Sequence, residues 1–95
     1  MRVKATDEFT IEILGEKHTL LNLIRWCIYK FESVYEIELV GYTIPHPMED
    51  KAIMKIQLKD STNQTKKHIL DVFQRGIESA QQITHHLSTL IVRAA

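Results

Sequence analysis

Five histidines and one cysteine are the residues of this 95-residue chain with the widest chemical reach. His18, His46 and His68 stand apart from one another, and His85 and His86 are adjacent, which turns their rings to different sides of a helix. A zinc site on a helix needs ligands three or four residues apart, with further ligands converging from elsewhere. No such spacing is present. Cys27 sits in an apolar helical run with no obvious base beside it, so it reads as core packing rather than a nucleophile. No serine occupies a Gly-x-Ser-x-Gly turn, and there is no glycine-rich phosphate loop. The expectation is a chain without catalytic, metal or cofactor residues. Lys51, Lys55 and Lys59 share one face of a predicted strand, and Lys66 and Lys67 open a predicted helix. Without interleaved aromatics to stack bases, a solvated face is the expected reading.

Composition points the same way. Twelve basic residues balance twelve acidic ones, so there is no net charge to draw the isolated chain to nucleic acid. With 44% hydrophobic residues, the chain is expected to form one domain over residues 1–95 with an adequate but thin core. No apolar run approaches the ~18 residues that span a bilayer. The amino terminus, with Lys4, Asp7 and Glu8, lacks a signal-peptide core. A soluble, intracellular protein with no membrane contact is expected, and a single cysteine fits a reducing compartment.

The elements follow from hydrophobic period. Phe9, Ile11 and Ile13 alternate with Thr10 and Glu12, predicting a half-buried strand that Gly15 ends, with Arg2 to Ala5 as its partner and Thr6 and Asp7 as the turn. Thr19 is a candidate helix cap. After it, Leu20, Leu23, Ile24, Cys27, Ile28 and Phe31 line one helical face, widened by Leu21 and Trp26. A second strand region is predicted from Tyr35 to Ile44 and a third from Lys51 to Lys59. Pro45 and Pro47 interrupt the ladder between them, which places the Pro-His-Pro turn at a sheet end or edge. Ser61 to Gln64 has the form of a capping box, with Thr62, Asn63 and Thr65 as alternative caps. A helical pattern then runs to Arg93, interrupted by Gly76, which marks a kink or a close approach of another backbone. The order ββαββα predicts an α+β two-layer sandwich. An antiparallel sheet of about four strands carries two helices on one face, the C-terminal one long.

That last helix, about 28 residues and roughly 40 Å long, exceeds what a domain of this size can cover. Between Glu78 and Arg93 it has no Asp, Glu, Lys or Arg, yet carries Leu87, Leu90, Ile91 and Val92. A solvated helix is rarely built so. The expected partner surface therefore takes Leu20, Leu21, Ile24 and Ile28 from the first helix. From the last it takes Phe73, Ile77, Ala80, Ile83, Thr84, Leu87, Leu90 and Ile91.

Two segments carry a further pattern. One runs from Gly15 to Arg25, with Gly15, Glu16, His18, Thr19, Leu20, Asn22, Ile24 and Arg25 as its marks. The other is Gly41, Tyr42, Pro45, His46 and Pro47, with Ile56 and Gln57 on the next strand. In this order they resemble the smaller alpha-like subunit of multisubunit RNA polymerases, the eleventh subunit of the eukaryotic enzymes and subunit L of the archaeal one. Leu21, where relatives often have a smaller residue, and Leu58, which replaces a common threonine, depart from the family pattern. The resemblance implies a non-catalytic assembly subunit that heterodimerises with the larger alpha-like subunit. That pair is the platform for the two large catalytic subunits, and DNA is contacted only through the whole complex. His18, at the mouth of the first helix, is expected to cap it or bond the adjoining loop, with contact to the partner as the alternative. The runs YTIPHP and FQRGI look most like the subunit shared by polymerases I and III, and Met48 to Lys51 more like the polymerase II version. The implied location is the nucleus, or the cytoplasm for an archaeal source. The competing reading is a stand-alone homodimerisation module of the same fold, serving as a cofactor of another protein.

Overall fold

The computed structural model describes residues 1–94 apart from positions 17 and 47, with side chains as far as Leu90. Strands β1 (Arg2–Ala5) and β2 (Thr10–Leu14) form a hairpin, followed by helix α1 (His18–Phe31), strands β3 (Ile37–Thr43) and β4 (Lys51–Leu58), and helix α2 (Lys66–Ala94). The four strands make one antiparallel sheet in the order β1-β2-β4-β3, so α1 crosses over β4 to link two strands that are not neighbours. This is the expected ββαββα sandwich.

Directly opposed residues of antiparallel strands share a face. The register therefore puts Ile11 and Ile13 of β2, Met54, Ile56 and Ala52 of β4 and Val40 of β3 on the helix side, where all are buried. Glu12, Lys55 and Gln57 face away, and Lys51 bonds Glu12 across the open side at 3.4 Å. Helix α1 contributes Leu21, Ile24, Cys27 and Ile28 to the core, and α2 contributes Ile69, Val72, Phe73 and Ala80. Both positions that depart from the family pattern, Leu21 and Leu58, are core residues here. Two expected core positions are not. Phe9 precedes the strand and is 41% exposed, and Phe31 ends α1 at 52% exposed. Phe9 lies one residue before β2, and Phe31, the last residue of α1, packs edge-on against Trp26.

Turns and caps hold the corners. The turn between β1 and β2 closes as the Thr6 amide donates to the Thr10 carbonyl at 3.0 Å and the Phe9 amide to Asp7 Oδ1 at 2.8 Å. Gly15, at φ +87°, adopts a conformation that favours glycine, and its N–H bonds the Asp50 carbonyl. Helix α1 already includes Thr19 in its first turn, so Thr19 is not the cap. At its far end the Glu32 carboxylate accepts from the amides of Val34 and Tyr35.

The expected capping box at Ser61 to Gln64 does not form. Asp60 instead caps a short 3-10 turn, Ser61–Asn63, and Thr65 Oγ1 accepts from the His68 amide to cap α2. Gln64 has a different task. Its Oε1 accepts from the Leu58 amide at 2.7 Å, while Nε2 donates to the carbonyls of Glu8 at 2.6 Å and Ile56 at 2.9 Å. The side chain thus stands in for a strand residue where β2 diverges from β4, satisfying backbone groups that would otherwise be orphaned.

Gly76 is a close approach of side chains rather than of another backbone. A Cβ there would lie 2.6 Å from Ile28 Cγ1 and 3.2 Å from Ile24 Cγ2, so the missing side chain lets α2 sit directly on α1. Helix α2, 29 residues and about 43 Å long, then runs past the sheet. The Cα radius of gyration is 14.2 Å, against about 12 Å for a compact domain of this length.

Candidate partner-binding surface

From Gln81 to Leu90 no residue of α2 is buried, whereas Ala80 is 2% exposed. Among the described residues Ala80 is therefore the last buried one of the helix, and beyond it only Ile83 still packs against the core. Leu87 at 53% and Leu90 at 46% stand open on the stretch without Asp, Glu, Lys or Arg. Alongside its start runs a groove of about 460 Å³ lined by Leu20 and Ile24 of α1, by Ile77, Ala80, Gln81, Thr84, His85 and Ser88 of α2, and by Met1. Ile24 and Ala80 form its nearly inaccessible floor, and Leu20 and Ile77 are half-buried.

This arrangement separates the expected partner residues into two groups. Leu20, Ile24, Ile77, Ala80 and Thr84 line the groove, and Leu87 and Leu90 continue it along the overhang. Ile83 is half-buried against the core. Leu21, Ile28 and Phe73 are a correction: they are as buried as Ile24 and Ala80 but line no part of the groove and pack in the chain's own interior, and helical period alone cannot distinguish a core-facing side chain from a partner-facing one. The side chain of Ile91 lies outside the described residues. Sequence reasoning missed Gln81, His85 and Ser88, which rim the groove because they fall at helical spacing from Ile77 and Thr84.

The two motif segments meet. Tyr42 on β3 donates its hydroxyl proton to the His18 carbonyl at 3.3 Å, and His18 Nδ1 lies 3.0 Å from the same hydroxyl oxygen. The His18 side chain thus fastens the mouth of α1 to β3. Asn22 Oδ1 accepts twice from Arg25, at 2.8 and 3.2 Å, one turn further along the same helix. Pro45 and His46 are exposed beyond the end of β3, and the His46 carbonyl accepts from the Glu49 amide. Pro47 lies outside the described residues. Gly41 is set in β3 with no atom within 4 Å of where a Cβ would be.

Other polar side chains serve local structure. His68 Nδ1 lies 2.9 Å from the Asn63 carbonyl, at the mouth of α2. Cys27 is buried, and that burial raises its thiol pKa, away from a reactive thiolate. Among the described residues no three His, Cys, Asp or Glu side chains converge as metal ligands, and no helix is long and apolar enough to cross a membrane.

The model of the RNA polymerase Rpb3/Rpb11 dimerisation domain matches residues 8–89. The chain belongs to this family. The match takes in α1, β2 to β4, both motif segments and the groove apart from Met1, and ends one residue before Leu90. Among curated proteins the chain is 35% identical to the probable DNA-directed RNA polymerases I and III subunit RPAC2 of Caenorhabditis elegans, over 81% of this chain and 48% of that one. It is 39% identical to the polymerases I and III subunit RPAC2 of Schizosaccharomyces pombe, over 73% and 49%. It is also 37% identical to the DNA-directed RNA polymerase subunit Rpo11 of Saccharolobus solfataricus, over 80% and 74%. The chain spans about half the length of the two RPAC2 relatives.

Proposed function

We propose that this protein is the smaller alpha-like subunit of a DNA-directed RNA polymerase, pairing through the groove and the α2 overhang with the larger alpha-like subunit. The observation that carries this is the overhang itself: ten residues from Gln81 to Leu90 with no side chain buried and no Asp, Glu, Lys or Arg, continuing a groove floored by Ile24 and Ala80. Leu87 and Leu90, exposed on an uncharged helix beside an apolar-floored groove, are the kind of surface that marks a protein–protein contact. The pair is then the platform on which the two large catalytic subunits assemble. The subunit supplies no catalytic group of its own, and DNA meets it only within the whole complex. The resemblance to the RPAC2 subunits supports a place in polymerases I and III and in the nucleus. The same role in an archaeal source belongs to the cytoplasm.

The test is co-purification with the larger alpha-like subunit encoded in the same genome, comparing the wild type with Leu87→Glu/Leu90→Glu. Full burial of a leucine is worth about 1.5–3 kcal/mol, and sealing an unpaired carboxylate costs several more. The double variant is expected to lose at least about 100-fold in affinity while its own melting temperature stays unchanged. Undiminished pairing by the variant places the interface elsewhere, and a stable dimer of this chain alone that ignores the larger subunit supports a homodimeric module instead.

A further inference from the structure

We infer that the α2 overhang is a helix which the unpaired chain holds only part of the time and which pairing completes, so that residues turned away from the partner help to set the affinity. The inference rests on the proposed pairing and deepens it. Up to Ala80, α2 is supported in two ways. Ile69, Val72, Phe73 and Ala80 are buried in the core. Successive turns are also joined by Arg75 to Asp71 at 3.2 Å and Gln74 to Glu78 at 3.3 Å, both at the four-residue spacing that stabilises a helix. Both supports then stop. From Gln81 to Leu90 no residue is buried, and only Ile83 packs against the core. With no Asp, Glu, Lys or Arg, the stretch has no ion pair along its surface. Among the described residues its one side-chain hydrogen bond runs from Thr89 Oγ1 to the His85 carbonyl at 3.0 Å, a back-bond that slightly weakens a helix.

Local preference does not make up the difference. Ile83, Thr84, His85, His86, Ser88 and Thr89, six of these ten residues, are each about two- to threefold less favourable in a helix than alanine. Good helix formers gain at most about 1.6-fold per added residue even near 0 °C, so each of the six works against extension, while glutamine and leucine come out near even. With so little burial to offset this, the unpaired chain keeps its helix beyond Ala80 for only a fraction of the time. A partner that covers Thr84, Leu87 and Leu90 supplies the burial and shifts the population to helix. The observed affinity is then the intrinsic one multiplied by the fraction already helical, and any residue of the stretch can change that fraction. His86 and Thr89 isolate the effect. At about 100° per residue they lie about 240° and about 180° round the helix from Ala80, and neither lines the groove.

Two measurements test this. Amide hydrogen exchange of the free chain, read by NMR, is expected to find His85 to Leu90 close to unprotected while Val72 to Ala80 are protected. Calorimetric titration with the larger alpha-like subunit then compares the wild type with His86→Ala/Thr89→Ala and His86→Gly/Thr89→Gly. The two variants lose the same side chains, so any lost contact cancels between them, and both keep the buried core. Alanine is favoured over glycine in a helix by about fivefold per site, so the alanine variant is expected to bind up to about 25-fold more tightly than the glycine variant, with the wild type between them. In an overhang already fully helical in the free chain the same preference would act on both states, and the two variants would bind alike. Equal affinities therefore overturn the inference. So do free-chain amides from His85 to Leu90 that are as protected as those from Val72 to Ala80. Absence of binding by all three forms overturns the pairing itself, and the inference with it.

Discussion

Replacing Gly76 by alanine sets two terms against each other, and the structure decides between them. In a helix interior alanine gains about 1 kcal/mol over glycine. Here the new Cβ would stand 2.6 Å from Ile28 Cγ1, with Ile28 Cδ1 and Ile24 Cγ2 both at 3.2 Å. Carbon atoms rest about 3.5–4.0 Å apart, so Ile28 must retreat by about 1 Å. It has little room, because Ile28 is 1% exposed, its Cγ1 lies one bond from a branched Cβ, and rotation about χ1 drives its other branch into the same core. The helices must then move apart, at the cost of about 1–3 kcal/mol typical of overpacking. The net expectation is a loss of about 1 kcal/mol, or about 4–8 °C in melting temperature. Urea and thermal unfolding followed by circular dichroism measure it. In a double-mutant cycle with Ile28→Ala the two losses should be less than additive, since the shortened side chain leaves room for the Cβ. Gly41→Ala is the control of opposite sign, expected to gain about 0.5–1 kcal/mol because its Cβ meets nothing within 4 Å. If Gly76→Ala is as stable as the wild type or more so, the reasoning about the helix crossing is refuted.

Two other substitutions probe the corners of the sheet. Gln64→Ala removes three hydrogen bonds and leaves the buried Leu58 amide without an acceptor, for an expected loss of about 2–3 kcal/mol in urea unfolding. Gln64→Glu should be no better, since it offers an acceptor where the Glu8 and Ile56 carbonyls need donors. The Asp60 carboxyl is held below its ordinary pKa by the Thr62 hydroxyl and then the Thr62 amide. A depressed pKa in the folded state gives stability that is present above the unfolded pKa and lost as pH falls through the folded one. Melting temperature against pH should therefore fall less steeply below about pH 4 in Asp60→Asn than in the wild type.

Much of the fold was legible because the strands carry a clean two-residue period. Ile11 and Ile13, and Met54 and Ile56, declared their faces, and the register then fixed the sheet. Helical period was less decisive. It marked Leu21, Ile28 and Phe73 as apolar without saying whether the sheet or a partner covers them, since that depends on how α1 and α2 cross, and Gly76 sets the crossing. The role of Gln64 was hidden for a related reason. A side chain that completes a strand ladder has no local sequence pattern, because its bonds reach back to Glu8 and Ile56. The overhang was legible from the missing charges between Glu78 and Arg93, whereas the groove beside it needed both helices in place.

The central claim is that the groove and overhang are where a larger alpha-like subunit binds. The most direct measurement is co-expression of the chain with that subunit, followed by light scattering of the purified product and hydrogen exchange of the chain free and bound. A one-to-one complex is expected, in which α2 from Gln81 to Leu90 and the first turns of α1 gain protection while the open face of the sheet does not. A complex that protects the sheet instead, or no complex at all beside a stable dimer of this chain, would contradict it.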